Sequence, residues 1–359
     1  MDDLFQPGMG SAEWLPVDHE YFFHIRIPEA FQKDAFPDHS GRAGDDSLYF
    51  HDAECMKIWG ERRVGGVGGI GWTRGVAYIA KKNDMLKNKN AVIYGAGGSL
   101  GGAVSRALAA AGARVFLTGR AAGSIDRIKA EILAAGGRAE TAVVDGFDGK
   151  AVAAHLETVV QSGGSVDISF NAVDVAVVQN IPLLEIPIED IVSPVTRTLQ
   201  TRSTTALAAA RVMMRQRSGV ILSLTATPGG IGYPLTGGFA PACCAVESFS
   251  RNLAAELGIY GIRVVNIRSG GSPDSRVFQQ AIDQYPDVMK GVLREMKADT
   301  MLKRLPLMAD IANTAVFLAS DLAGMITGVT VDVTGGTTAG LNYRMAATDA
   351  HSVLPLDNQ

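Results

Sequence analysis

The stretch Ala91-Val92-Ile93-Tyr94-Gly95-Ala96-Gly97-Gly98-Ser99-Leu100-Gly101-Gly102-Ala103 constrains the fold of this chain more than any other. A short apolar run ends in glycines, and an alanine-rich helical segment follows at once. A buried strand, a tight turn and a helix N-terminus in that order bring unpaired backbone N–H groups to one point, a natural seat for a pyrophosphate. Leu100, Val104 and Leu108, spaced i, i+4, i+8, give the helix a face to pack on a sheet.

The same alternation continues downstream. Apolar runs at 91–94, 114–118, 141–144, 166–170, 219–225, 262–267 and 329–333 read as buried strands. Helix-length segments at 100–111, 124–135, 149–161, 187–215, 242–258 and 308–320 separate them. Right-handed crossovers then predict an α/β, doubly wound Rossmann fold: a seven-stranded parallel sheet flanked by helices.

Residues 1–84 behave differently. They hold all three tryptophans, yet their apolar residues follow neither a helical nor an alternating period, and Pro7, Pro16, Pro28 and Pro37 interrupt the first half. The expected organisation is an N-terminal extension over 1–84, a dinucleotide-binding domain over 85–343 and a C-terminal tail over 344–359. Gly66-Val67-Gly68-Gly69-Ile70-Gly71 matches G-x-G-x-x-G to the letter, but no buried strand precedes it and no long helix follows, so it reads as a flexible glycine turn.

Bulk properties exclude several classes. Net charge is −4 with 19% charged residues, so no basic footprint points to nucleic acid. No run of about 18 apolar residues is present to span a membrane. Cys55, Cys243 and Cys244 offer neither a disulfide framework nor a zinc spacing. With no basic-then-apolar leader after Met1-Asp2-Asp3, a cytoplasmic location is expected.

The spacing Gly95…Gly101 resembles the short-chain dehydrogenase/reductase family, whose glycine turn is longer than the usual Rossmann one. Ser99 falls where that family has its middle glycine. Further motifs arrive in the family's order: Val144-Asp145, Phe170-Asn171-Ala172, Val265-Asn266, Ser269-Gly270-Gly271-Ser272-Pro273 and Ile326-Thr327-Gly328 through Thr334-Gly335-Gly336. The resemblance covers about residues 88–340. It implies a nucleotide site made of Gly95, Gly97, Gly98, Ser99, Leu100, Gly101, Asp145, Asn171, Ala172, Ser269 and Gly270. The second strand ends in Gly119-Arg120, where a free ribose 2′-hydroxyl is usually met by an acid. A guanidinium suits a 2′-phosphate, so NADP(H) is expected over NAD(H).

The chemistry is another matter. Members of the family commonly use a tyrosine as general acid/base, a lysine four residues later that lowers its pKa, and a serine thirteen residues earlier. In this register those positions are Phe239, Cys243 and Ala226, and the family's relay asparagine falls on Thr198. Phenylalanine has no proton to give and a thiol is no cation. Candidates for a different proton source or oxygen-binding group are Thr225, Tyr233 and Thr227, with Ser223 behind them.

Two readings follow. One is an NADP(H)-dependent oxidoreductase acting on a hydrophobic carbonyl or activated alkene with a non-standard proton source. The other is a non-catalytic NADP(H)-binding sensor or scaffold. Residues 273–305 carry Val277, Phe278, Ala281, Ile282, Val288, Met289, Val292, Leu293 and Met296 at helical spacing, which predicts an apolar roof over the cleft. Asp274 is expected to cap a helix. The resemblance further implies a homodimer or homotetramer joined through 187–215 and 236–259. No metal site is expected.

Overall fold

Strand β1 (Asn90–Tyr94) and strand β4 (Ile168–Asn171) are buried at every position, and the other strands are laid outward from this pair. The computed structural model describes residues 84–340; the expectations about the extension before Asp84, the Gly66–Gly71 run and the tail 344–359 lie outside them. Strands β2 (Arg114–Gly119), β3 (Arg138–Val143), β5 (Gly219–Ala226), β6 (Ile262–Ser269) and β7 (Thr330–Val333) complete one sheet in the order β3-β2-β1-β4-β5-β6-β7. Every pairing is parallel. The doubly wound, seven-stranded Rossmann expectation is therefore met.

Period-two alternation supplies two cores. Ala91 and Ile93 face one way, towards Val104 and Leu108 of α1 (Ser99–Ala110), Ile125 of α2 (Ala122–Ala134) and Ile311 of α8 (Met308–Ala319). Val92 and Tyr94 face the other way, towards Val152 and Leu156 of α3 (Gly149–Gly163), Met213 of α4 (Ile188–Gln216) and Leu253 of α5 (Phe239–Leu257). Two further helices, α6 (Arg276–Gln284) and α7 (Pro286–Asp299), bury no residue completely and lie outside both cores.

Two boundaries differ from the sequence pattern. Strand β3 starts at Arg138 rather than at the apolar run 141–144, because an edge strand with one neighbour is half exposed and needs no continuous apolar run. Helix α5 starts at Phe239 rather than at 242. Pro241 then falls in its first turn, where a missing N–H breaks no helical bond.

The strand order reverses direction between β1 and β4. In open α/β sheets the crevice beyond the carboxyl ends of two such strands is where a ligand binds. Gly95 to Gly101 follow β1 there, and Ala172 to Val177 follow β4.

Candidate active site

Gly95 has φ +76°, and a Cβ added to it would lie 2.7 Å from the Ala172 carbonyl oxygen. A Cβ on Gly101 would run into the Gly95 carbonyl oxygen, and one on Gly97 into the Ser124 hydroxyl. These glycines let the turn, the start of α1 and the β4 loop close on one another. The residue before α1 is Gly98, which offers no side-chain acceptor, and the first turn holds no acid. The opening N–H groups of α1 are thus left for an outside anion. They border a cavity of ≈ 280 Å³ lined by Gly98, Ser99, Leu100, Gly101, Ala172 and Ser269 among the expected residues. A depression of ≈ 340 Å³ at the opposite, amino end of the strands, beside Asp167, Gly219 and Ile262, carries none of them.

The remaining expected residues stand around this cavity. Ser99 uses its hydroxyl to accept from the Arg276 backbone N–H at 3.0 Å, so this side chain fastens α6. Asn171 lies just behind the wall. It donates to Thr205 Oγ1 (2.8 Å) and to the Thr201 carbonyl (3.1 Å), and accepts from Val173 N–H (2.8 Å), which ties the β4 loop to α4. Asp145 accepts from Phe147 N–H at 3.1 Å and does not line the cavity. Arg120, also outside it, is exposed at the end of β2 and makes no side-chain hydrogen bond or ion pair among the described residues. Arg127 is instead held by Glu131 at 2.7 Å, together with Arg106 at 2.8 Å.

Beyond Phe239 opens a second, larger cavity of ≈ 560 Å³. Val277, Phe278, Ala281, Met289, Val292 and Met296 roof it. Of the residues expected in that roof, Ile282, Val288 and Leu293 do not line it; Val288 is 65% exposed. Gly270 borders this cavity rather than the first. Asp274 does cap a helix, but a distant one: both its carboxylate oxygens accept from Met308 N–H, the first residue of α8, at 3.1 Å. Its own helix, α6, is capped by Ser275. Among the described residues no group of side chains forms a metal site, and no helix is long and apolar enough to cross a membrane.

Comparison with known proteins agrees with this geometry. Residues 95–338 match the sequence profile of the family described as enoyl-(acyl carrier protein) reductase. An uncharacterized oxidoreductase of Mycobacterium tuberculosis is 30% identical over 260 residues, covering 70% of this chain and 93% of the relative. The chain belongs to the short-chain dehydrogenase/reductase family. The 3-oxoacyl-(acyl-carrier-protein) reductase of Staphylococcus epidermidis is 29% identical, covering 69% of this chain and 98% of that protein. Among solved structures, levodione reductase superposes with a TM-score of 0.66 at 26% identity, covering 71% of this chain and 99% of that one. Short-chain dehydrogenases/reductases are oxidoreductases that bind NAD or NADP.

The four positions expected to carry the family's catalytic residues can be located in the cleft. Phe239, Cys243, Ala226 and Thr198 all line the first cavity. Burial pushes the Cys243 thiol up to about 11, so it stays uncharged near neutrality. Of the candidate donors, Thr225 gives its hydroxyl proton to Glu247 Oε1 at 2.8 Å, inside a buried network with Asn266 and Arg268. Thr227 donates to the Ser269 carbonyl at 3.3 Å. Ser223 turns to Ser250 and Asn266, away from both main cavities. Tyr233 borders the larger cavity, 37% exposed, and its hydroxyl has no protein partner among the described residues. Burial, aided by the charge of Asp299, raises its pKa above the ordinary value.

Sequence reasoning missed two residues. The Ser272 hydroxyl is buried in the wall of the larger cavity without a partner. Arg202 is buried beside Cys243 and lines the smaller one. Arg202 stands among the buried α4 positions Thr201, Thr205, Ala206 and Ala209, a setting that shows only once α4 is laid against the sheet.

Proposed function

We propose that this protein is an NADP(H)-dependent oxidoreductase that reduces a hydrophobic carbonyl or activated alkene without a tyrosine–lysine pair. The observation that carries the reading is the continuity of the two cavities. Leu100, Ala226, Phe239, Ser269, Ser275 and Val277 border both, so a ligand seated on α1 and one under α6 and α7 share a wall. When bound, the dinucleotide supplies a hydride; the protein holds the two reactants together. Leu100, Ala226, Phe239 and Val277 give that shared wall its apolar part, and Ser269 and Ser275 its polar part. The names of the family profile and of the staphylococcal relative, an enoyl and a 3-oxoacyl reductase, fit a substrate of this kind.

In this reading Tyr233 meets the substrate oxygen. Its hydroxyl is uncommitted, and burial, which raises its pKa, keeps it a neutral hydrogen-bond donor at neutral pH. The half-open position of Tyr233 lets water restore a lost proton. The test is NADPH oxidation against a panel of hydrophobic enones and ketones, with cofactor binding titrated alongside. Turnover on at least one substrate is expected, and Tyr233→Phe should lower kcat by about 10²-fold while NADPH affinity holds. Binding without turnover across the panel would overturn the oxidoreductase reading.

Arg120 supports NADP(H) through its open guanidinium at the end of β2. Arg120→Asp is expected to weaken NADPH binding by about 10- to 100-fold, the worth of one charge-assisted hydrogen bond, and to leave NADH binding equal or better. Equal NADPH affinity in wild type and variant refutes the assignment. The same family reading carries a homodimer or homotetramer through α4 and α5, to be checked by sedimentation.

A further inference from the structure

Arg202 is an anomaly that neither the fold nor the expected site explains. It sits midway along α4 and is only 7% exposed. Its Nη1 donates to the Asn171 side-chain oxygen and to the Val173 carbonyl, the latter at 3.1 Å. Both acceptors are neutral. Its Nε is buried with no partner, and its Nη2 donates to no group among the described residues. No carboxylate forms an ion pair with it among the described residues; Asp174, whose charge it feels, is exposed. The neighbouring Cys243 thiol is uncharged near neutrality and offers no counter-ion. Burial lowers the Arg202 pKa to about 10, which still leaves it fully charged at pH 7. A buried guanidinium with one nitrogen satisfied and two idle is costly in a folded chain unless something else meets it.

Its position says what that something is. Arg202 lines the ≈ 280 Å³ cavity together with Thr198, Ala226, Phe239 and Cys243. Of these, Ala226 and Phe239 also border the larger apolar cavity, whereas Arg120 and Asp145 line neither. We propose that Arg202 is a cofactor-binding residue whose free N–H groups meet the oxygens of the nicotinamide-bearing half of the dinucleotide. The proposal rests on the dinucleotide reading above and adds to it a cation at the inner end of the cleft, supplied by α4.

The alternative is that Arg202 only pins the Asn171–Val173 loop. Two ligands separate these roles: NADPH, and its adenosine half alone, adenosine 2′,5′-bisphosphate. Titrating both into the full chain, Arg202→Met is expected to raise the Kd for NADPH by at least about 10-fold. The adenosine half should bind as it does to wild type. The variant should melt at the same temperature or higher, because an unpaired buried charge has been replaced by an apolar chain of similar length. Arg202→Lys, which keeps the charge but not the fork, should recover part of the loss.

Unchanged NADPH affinity in folded Arg202→Met overturns the proposal. Equal weakening of both ligands also overturns it, since a loosened loop beside Gly95 would disturb the whole site. Should Arg202→Met fail to fold, the same two titrations on Arg202→Gln and Arg202→Lys decide. A wild-type chain that binds neither ligand refutes the dinucleotide reading itself, a result distinct from either of these.

Discussion

Gly95→Val is expected to abolish dinucleotide binding, raising the NADPH Kd by at least about 100-fold, and to lower the melting temperature by about 10 °C. Two penalties add at this position. The backbone sits at φ +76°, a region a β-branched side chain enters only at a cost of about 1–3 kcal/mol. The new Cβ would also press on the Ala172 carbonyl at 2.7 Å, and Ala172, the residue after β4, is held in place by its N–H bond to the Tyr94 carbonyl. Overpacking of this kind costs about 1–3 kcal/mol more. At about 2–4 °C per kcal/mol for a domain of this size, the sum gives the shift quoted. Gly136 is the control: it has φ +80° but open space around its would-be Cβ. Gly136→Ala should cost about 1 kcal/mol and leave NADPH binding intact. Circular-dichroism melts and a binding titration check both, and a Gly95→Val protein that binds NADPH normally would remove the turn from the site.

The second large effect belongs to Glu247, which lies beneath the cleft floor. One of its oxygens accepts from Thr225 Oγ1 (2.8 Å) and Arg268 Nε (3.0 Å), and the other from Arg268 Nη2 (2.5 Å). Arg268 also reaches Asp332 on β7 at 2.7 Å, so one guanidinium staples α5 to the far edge of the sheet. The Glu247 and Arg268 side chains are only 10% and 12% exposed. Removing Glu247 leaves the Arg268 guanidinium, in a dry place, with only the half-exposed Asp332 as counter-charge and Thr225 without its acceptor, at up to about 3–5 kcal/mol. Glu247→Ala should therefore lower the melting temperature by about 10 °C. Glu131→Ala, which breaks the surface cluster with Arg106 and Arg127, should cost no more than about 1 kcal/mol, because water screens those charges. Similar melting temperatures for the two variants would contradict this account of the network.

The contrast between these positions explains what could be read in the chain beforehand. Strands such as Ala91–Tyr94 and Ile262–Ile267 are buried on both faces, so hydrophobicity alone marks them. The edge strand β3 has a solvated side and is only partly visible to the same test. The glycine turn was legible because its requirement is local: a positive φ and a close approach. Side-chain commitments were not. Thr225 reads as a free hydroxyl in a strand, and only the arrival of α5 across the sheet shows that Glu247 claims its proton. Arg202 reads as one more charge on a long helix until α4 is laid against β4 and its guanidinium is found without a carboxylate. Both depend on residues remote in sequence, which periodicity does not reach.

One attachment has a mechanical consequence. Near its start the α6–α7 pair is fastened twice, through Asp274 to the first residue of α8 and through Arg276 N–H to Ser99. At its other end Thr300 is fully buried and packs against Gly335. Between these ends neither helix buries a residue completely. A segment clasped at both ends and loose along its length has one inexpensive deformation, rotation about the line joining the clasps. Such a flap would turn like a hatch on two pins, baring the apolar chamber without unzipping a single bond of the sheet. Because one pin is Ser99 itself, such a swing would be registered at the first residue of α1.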